Sequence, residues 1–142
     1  MKNRLMLGAL AAVVITQAGC ATQIKSVPLQ PAMQQPTAGS GVALYFGSQS
    51  HPAVQRTIGE TSHSVRVARA QDDADAACDN ALSQALSKLR ADAQERKANA
   101  VINVQTRFHN SENKSATEYT CGVSPSAAAV AVQGDLVVLQ AN

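Results

Sequence analysis

Hydrophobic positions organise this chain around one stretch, from Asp72 to Phe108. From Cys78 onward, apolar side chains recur at Leu82, Ala85, Leu86, Leu89 and Ala93. Spacings of three and four residues place them on one face of a helix. Ser83, Gln84, Lys88, Arg90, Asp92, Gln94 and Glu95 fall mostly on the other side, which is therefore wet. Asp72, Asp73 and Asp75 crowd the start, where carboxylates meet the positive end of the helix dipole. Arg96 and Lys97 sit at the opposite end, and Asn99 is a candidate left-handed cap. A helix of about 25 residues is roughly 37 Å long at ~1.5 Å per residue. With a single apolar face, it needs a sheet beneath it.

The alternation changes to a period of two directly afterwards. Ala100, Ile102, Val104, Thr106 and Phe108 alternate with Val101, Asn103, Gln105 and Arg107, which predicts a strand. Val42 to Phe46 is a short apolar strand closed by Gly47. Gln55 to Arg69 reads as one or two strand pieces interrupted near Gly59, with Ile58, Val65 and Val67 facing inward. Asn110 to Ser115 is a polar turn, and Ala116 to Cys121 a returning strand. Ala127 to Leu139 is a long apolar strand with a kink expected at Gly134-Asp135.

The N-terminal segment follows different rules. Lys2 and Arg4 precede an apolar run from Leu5 to Ile15, too short for a stable bilayer span. Gln17-Ala18-Gly19-Cys20 then resembles the bacterial lipobox, with an aliphatic residue replaced by Gln17. That resemblance implies cleavage before Cys20 and acylation of Cys20 on sulfur and nitrogen. By resemblance to enteric sorting rules, Ala21 in place of aspartate favours the outer membrane. Residues 1–19 are thus read as signal peptide and residues 20–40 as a lipidated, Pro- and Gln-rich tether, holding Pro28, Pro31 and Pro36. Residues 41–142 are left for a single domain.

Charge excludes one class of partner. The chain has 12 Lys and Arg against 10 Asp and Glu, and losing Lys2 and Arg4 brings this to 10 against 10. Only 3% of residues are aromatic, so phosphate neutralisation and base stacking both lack their residues. Nucleic acid is not an expected partner.

With Cys20 assigned to lipid, Cys78 and Cys121 remain as a pair in an oxidising compartment. Cys78 falls on the apolar helix face and Cys121 in a strand of the sheet beneath it. A bond between them stabilises by roughly 4 kcal/mol on the chain-entropy model. A redox-active pair would call for a close Cys-x-x-Cys, which the sequence lacks. The structural bond is the stronger reading. His51, His63 and His109 lie in polar, loop-like contexts without the spacing of a metal site. Ser48, Ser50 and Ser62 lie near histidines in sequence, but no nucleophile elbow or acid partner is recognisable. Asp72, Asp73 and Asp75 lack the glycine and distal glutamate of a calcium loop. Asn113-Lys114-Ser115 matches a glycosylation sequon only formally.

Two segments carry a family resemblance. Lys97-Ala98-Asn99-Ala100-Val101 after a Cys-bearing helix, with Tyr119-Thr120-Cys121 beyond, resembles the outer-membrane stress-sensor lipoproteins of the Rcs phosphorelay and the small YbjQ-like domain. The run Glu112 to Cys121 resembles small secreted bacterial proteins often labelled "excinuclease ATPase subunit". No phosphate-binding loop supports that label in this chain. The resemblance implies an α+β fold: one long helix packed on a small, largely antiparallel sheet of about four strands. It also implies a helix-to-strand disulfide, which maps onto Cys78 and Cys121. The Rcs sensors are similar in their lipid anchor and Pro-rich tether, but carry two disulfides where this chain has cysteines for one. The YbjQ-like family carries a heavy-metal-binding label, and no ligand set for it maps onto this sequence.

The expected protein is therefore a non-enzymatic outer-membrane lipoprotein facing the periplasm, with no cofactor. It acts through contact with an envelope protein, either a β-barrel or a signalling component, in interaction or stress sensing. A periplasmic module binding a metal or small ligand is the alternative.

Overall fold

The structure, a computed structural model, describes residues 22–30, 33, 41–70 and 73–141. Cys20, the signal peptide and much of the tether lie outside the described residues, as does Asp72. In chain order the elements are β1 (Gln23–Pro28), β2 (Ala43–Phe46), β3 (Val54–Ala68), α1 (Ala74–Glu95), β4 (Ala100–Phe108), β5 (Ser111–Asn113), β6 (Glu118–Val123) and β7 (Ala127–Leu139).

The expected sheet of about four strands is corrected. Among the described residues seven strands form one large mixed sheet, with the long helix upon it, so the expected α+β arrangement gives way to one that is largely β. Two features of the sequence account for the difference. Gln23–Pro28, within the stretch read as tether, pairs antiparallel with β6, register Gln23 to Val123 through Pro28 to Glu118. Val27 and Leu29 are buried, so two apolar residues among prolines and polar residues suffice to dock this segment. Ser111–Asn113, read as turn, closes a short hairpin on the end of β4. The segment from Val54 to Ala68 is one 15-residue strand, and its register shifts between Thr57 and Gly59, where the interruption was expected.

β7 is the axis of the sheet. Along one edge it pairs with β3, from Ala127 opposite Ala68 to Leu139 opposite Val54. The other edge forks: Ala128 and Ala129 pair with β6, whereas Ala131 to Val137 pair with β4. At the fork Thr106 Oγ1 accepts the Thr120 amide proton at 2.8 Å, and the Phe108 ring lies where a side chain on Gly122 would stand. β2 joins the far edge of β4, the one parallel pair among the described residues.

Helix α1 covers one face. Asp73 caps its start by accepting from the Ala76 amide at 2.7 Å. Its buried stripe is Ala77, Cys78, Ala81, Leu82, Ala85, Leu86, Leu89 and Ala93, which contains every position the periodicity selected. The alanines bring the helix axis close to the sheet, and the leucines fill the space between. Beneath them lie Val65, Val101, Val104, Val130, Val132 and Leu136 in one continuous core. The helix ends in a Schellman arrangement: Ala98 N–H donates to the Ala93 carbonyl at 2.8 Å and Lys97 N–H to that of Gln94 at 3.2 Å. Lys97, at φ 62°, is the left-handed residue, not Asn99. Asn99 instead brackets Leu139, donating from Nδ2 to its carbonyl at 3.1 Å and accepting its amide at 2.7 Å.

Strict alternation along β4 also fails at one residue. Asn103 takes φ 54°, and the register to both β7 and β2 slips by one there. The extra residue is a β-bulge, which resets the faces. Val101 and Val104 both point into the helix-side core, whereas Ala100 and Ile102 join Val137 and Leu139 in a second, smaller cluster on the reverse face. Among the described residues, no helix is long and apolar enough to cross a membrane.

Candidate functional site

The reverse face of the sheet, away from α1, divides into an apolar part and a polar part. The apolar part is the small cluster around Ile102, Val137 and Leu139, with Tyr45 packed on it. The polar part floors a cavity of about 800 Å³. Two rows of side chains run across adjacent strands there. Gln105 on β4 stands opposite Gln133 on β7, which stands opposite Ser62 on β3. In the next row, the bulged Asn103 flanks Asp135, which stands opposite Glu60. Directly opposed side chains share a face, with strands ~4.8 Å apart and rows two residues, or ~6.7 Å, apart.

The bulge creates the second row. An unbulged strand would turn the Asn103 side chain toward the helix. Displaced as it is, its Nδ2 donates to Asp135 Oδ2 at 2.9 Å. One wall of the cavity comes from Gly47 and Ser48, and another from Lys114. These walls meet because Gly47, at φ +56°, has no Cβ; any side chain would run into the Lys114 carbonyl oxygen. Gly47 N–H also donates to the Val104 carbonyl at 2.9 Å, tying the wall to the floor.

Two carboxylates, those of Glu60 and Asp135, and one lysine, Lys114, are the charged residues of the lining. Glu60 and Asp135 are directly opposed, and like charges in that relation destabilise a sheet. Sequence reasoning missed this site. The alternation Glu60, Ser62, Ser64 and the pair Gln133, Asp135 were the signal for it. The register that aligns them, and the bulge at Asn103, are not visible in any one strand.

The residues singled out from sequence lie elsewhere and apart. Cys78 and Cys121 form the disulfide expected between helix and sheet, with Cα atoms 6.0 Å apart. Beside it, Tyr119 Oη donates to Asp79 Oδ1 at 2.6 Å, and Gln30 Nε2 reaches Asp79 Oδ2 at 2.9 Å. Burial and the adjoining Asp79 carboxylate push the Tyr119 phenol well above its usual range, so it stays neutral. His51 contacts the Pro52 carbonyl through Nδ1 at 2.7 Å, and its ring lies edge-on to Tyr45. His109 packs edge-on to Phe108 at the tip of the β4–β5 hairpin. Asn113 Oδ1 accepts the Ser115 amide at 2.9 Å within the turn.

His63 has a carboxylate partner. Its Nε2 lies 2.5 Å from Asp92 Oδ2, and Thr61 Oγ1 donates to the same oxygen at 2.5 Å. The Thr61 hydrogen bond, then that of His63, holds the Asp92 carboxyl below its ordinary range, with Arg96 adding a favourable charge. Thr61 and His63 share one carboxylate oxygen, so the imidazole Nε2 is engaged by Asp92 rather than by Thr61. The trio clamps β3 to α1. Among the described residues, no group of three His, Cys, Asp or Glu side chains is placed to hold a metal ion.

Comparison with protein-family models, with curated proteins and with solved structures found no match to this chain.

Proposed function

We propose that this chain is a lipid-anchored bacterial outer-membrane lipoprotein. Its domain acts without catalysis, as a protein-interaction or envelope-stress-sensing accessory in the periplasm. The observation that carries the reading is the division of labour among three cysteines. Cys78 and Cys121 are bonded to each other, a state that persists outside the reducing cytosol. Cys20 is left after a basic and apolar leader at Gln17-Ala18-Gly19, where acylation takes place. The partner is an envelope protein, a β-barrel or a signalling component.

Cys20→Ala in the full chain is expected to move the protein from the membrane to the soluble fraction of cells. Retention in the membrane would refute the anchor. Cross-linking of the tagged protein in intact outer membranes is expected to capture one barrel or signalling protein at near-equal stoichiometry, and an absence of specific capture would refute the accessory role.

A second reading is favoured by a specific observation. The polar cavity on the reverse face is of a size that holds small molecules, within the ~300–1,000 Å³ of such sites. On that reading the domain is a small-ligand-binding module, and the anchor holds it at the membrane.

A further inference from the structure

Most small-molecule pockets are apolar with a few polar groups. The cavity over β3, β7 and β4 departs from that pattern: its floor carries amide, carboxylate and hydroxyl groups in two ordered rows. We propose that it binds a polyhydroxylated ligand bearing a protonated amine, of the amino-sugar class. The proposal rests on the reading of the domain as a small-ligand module and names the ligand.

The amide row selects hydroxyls. Gln105 and Gln133 stand directly opposite each other, and neither side chain bonds to another described residue. Each amide offers both a donor and an acceptor, which is the pairing two neighbouring hydroxyls require. A ligand with only acceptors or only donors would leave half of this capacity unmet. Ser62 extends the row with a hydroxyl that works in either sense.

The carboxylate row selects the amine. Glu60 and Asp135 face the same space across a strand pair, and the Asn103 amide neutralises neither charge. An ammonium between them turns a repulsive pair into two charge-assisted hydrogen bonds. The same pair repels phosphates and carboxylates from this row, where two carboxylates stand against the single Lys114 of the lining. A bare divalent cation is served poorly, because two carboxylates and neutral amides from a rigid sheet give too few close oxygens. The two rows lie ~6.7 Å apart, so one small, rigid molecule spans hydroxyl and amine contacts together.

The test uses the full chain in detergent micelles, titrated calorimetrically with three β-1,4-linked tetramers. One is built of glucosamine, one of N-acetylglucosamine and one of glucose. The glucosamine tetramer is expected to bind saturably and about tenfold or more tighter than the other two. Glu60→Gln with Asp135→Asn is expected to abolish that preference, with unchanged circular dichroism and a melting temperature no lower than that of the parent. Gln133→Val is expected to weaken all three. Equal binding of the three tetramers, or preference for an uncharged one, overturns the amine while leaving a ligand site. A preference for the glucosamine tetramer that survives the carboxylate double variant overturns the location. No saturable binding of any tetramer at ~10 mM overturns the proposal. Failure of the small-ligand reading would be seen separately, if a broad metabolite library also left the melting temperature unmoved.

Discussion

Lys97 sits in the left-handed region at φ 62°, where a Cβ crowds the following carbonyl. Schellman termini favour glycine at this place. Lys97→Gly should therefore stabilise the domain by up to about 1 kcal/mol, read as a higher denaturant midpoint with unchanged slope. A lower midpoint would mean that the lysine side chain contributes more than its backbone costs. Asn99 was the natural residue to expect there, since asparagine tolerates the left-handed region. Its side chain instead holds both backbone groups of Leu139, 40 residues away in sequence. No local pattern reveals a partner that distant. Asn103 teaches the same lesson: it supplies the bulge that reverses the faces of β4, and alternation read across it assigns Ile102 to the wrong cluster.

At the scale of elements, the helix was readable because its apolar spacing needs only its own residues. The first strand was not, because Gln23–Pro28 becomes a strand only beside β6. Lys25 pairs with Asp75 and Gln30 with Asp79, so contacts to the helix fasten this edge further. The clamp between β3 and α1 has a pH signature. The folded state holds the Asp92 carboxyl below its ordinary value, chiefly through Thr61 and then His63. A depressed carboxyl stabilises fully above the unfolded value of ~3.9 and loses that contribution as pH falls through the folded value. Asp92→Asn should thus be less stable than the parent at pH 6, and urea titrations should show the gap closing as pH is taken down through that window. A gap independent of pH would assign the loss to packing instead of charge.

For the whole molecule, the cysteine pairing was legible by elimination, whereas the size of the sheet was not. Two misreadings, at β1 and β5, each concerned a segment with few apolar residues whose place is set by a neighbour. The disulfide joins positions 43 residues apart and should contribute roughly 4 kcal/mol. A reductant should lower the melting temperature accordingly and expose both thiols to labelling. Labelling of Cys78 and Cys121 without reductant would contradict the bond.

The position of β7 has a consequence for biogenesis. The strand that β3, β4 and β6 all pair with is the last described strand to leave the ribosome. β1 depends on it through β6, and β2 and β5 through β4. A nascent chain that ends before Ala127 holds the helix and six strands with no axis to assemble on. The pairs β1–β6, β2–β4 and β4–β5 need no contact with β7, but only β7 joins them and β3 into one sheet. The complete sheet is reached only once that last described strand is in place, so a chain truncated before Ala127 should yield separate strand pairs rather than a folded domain.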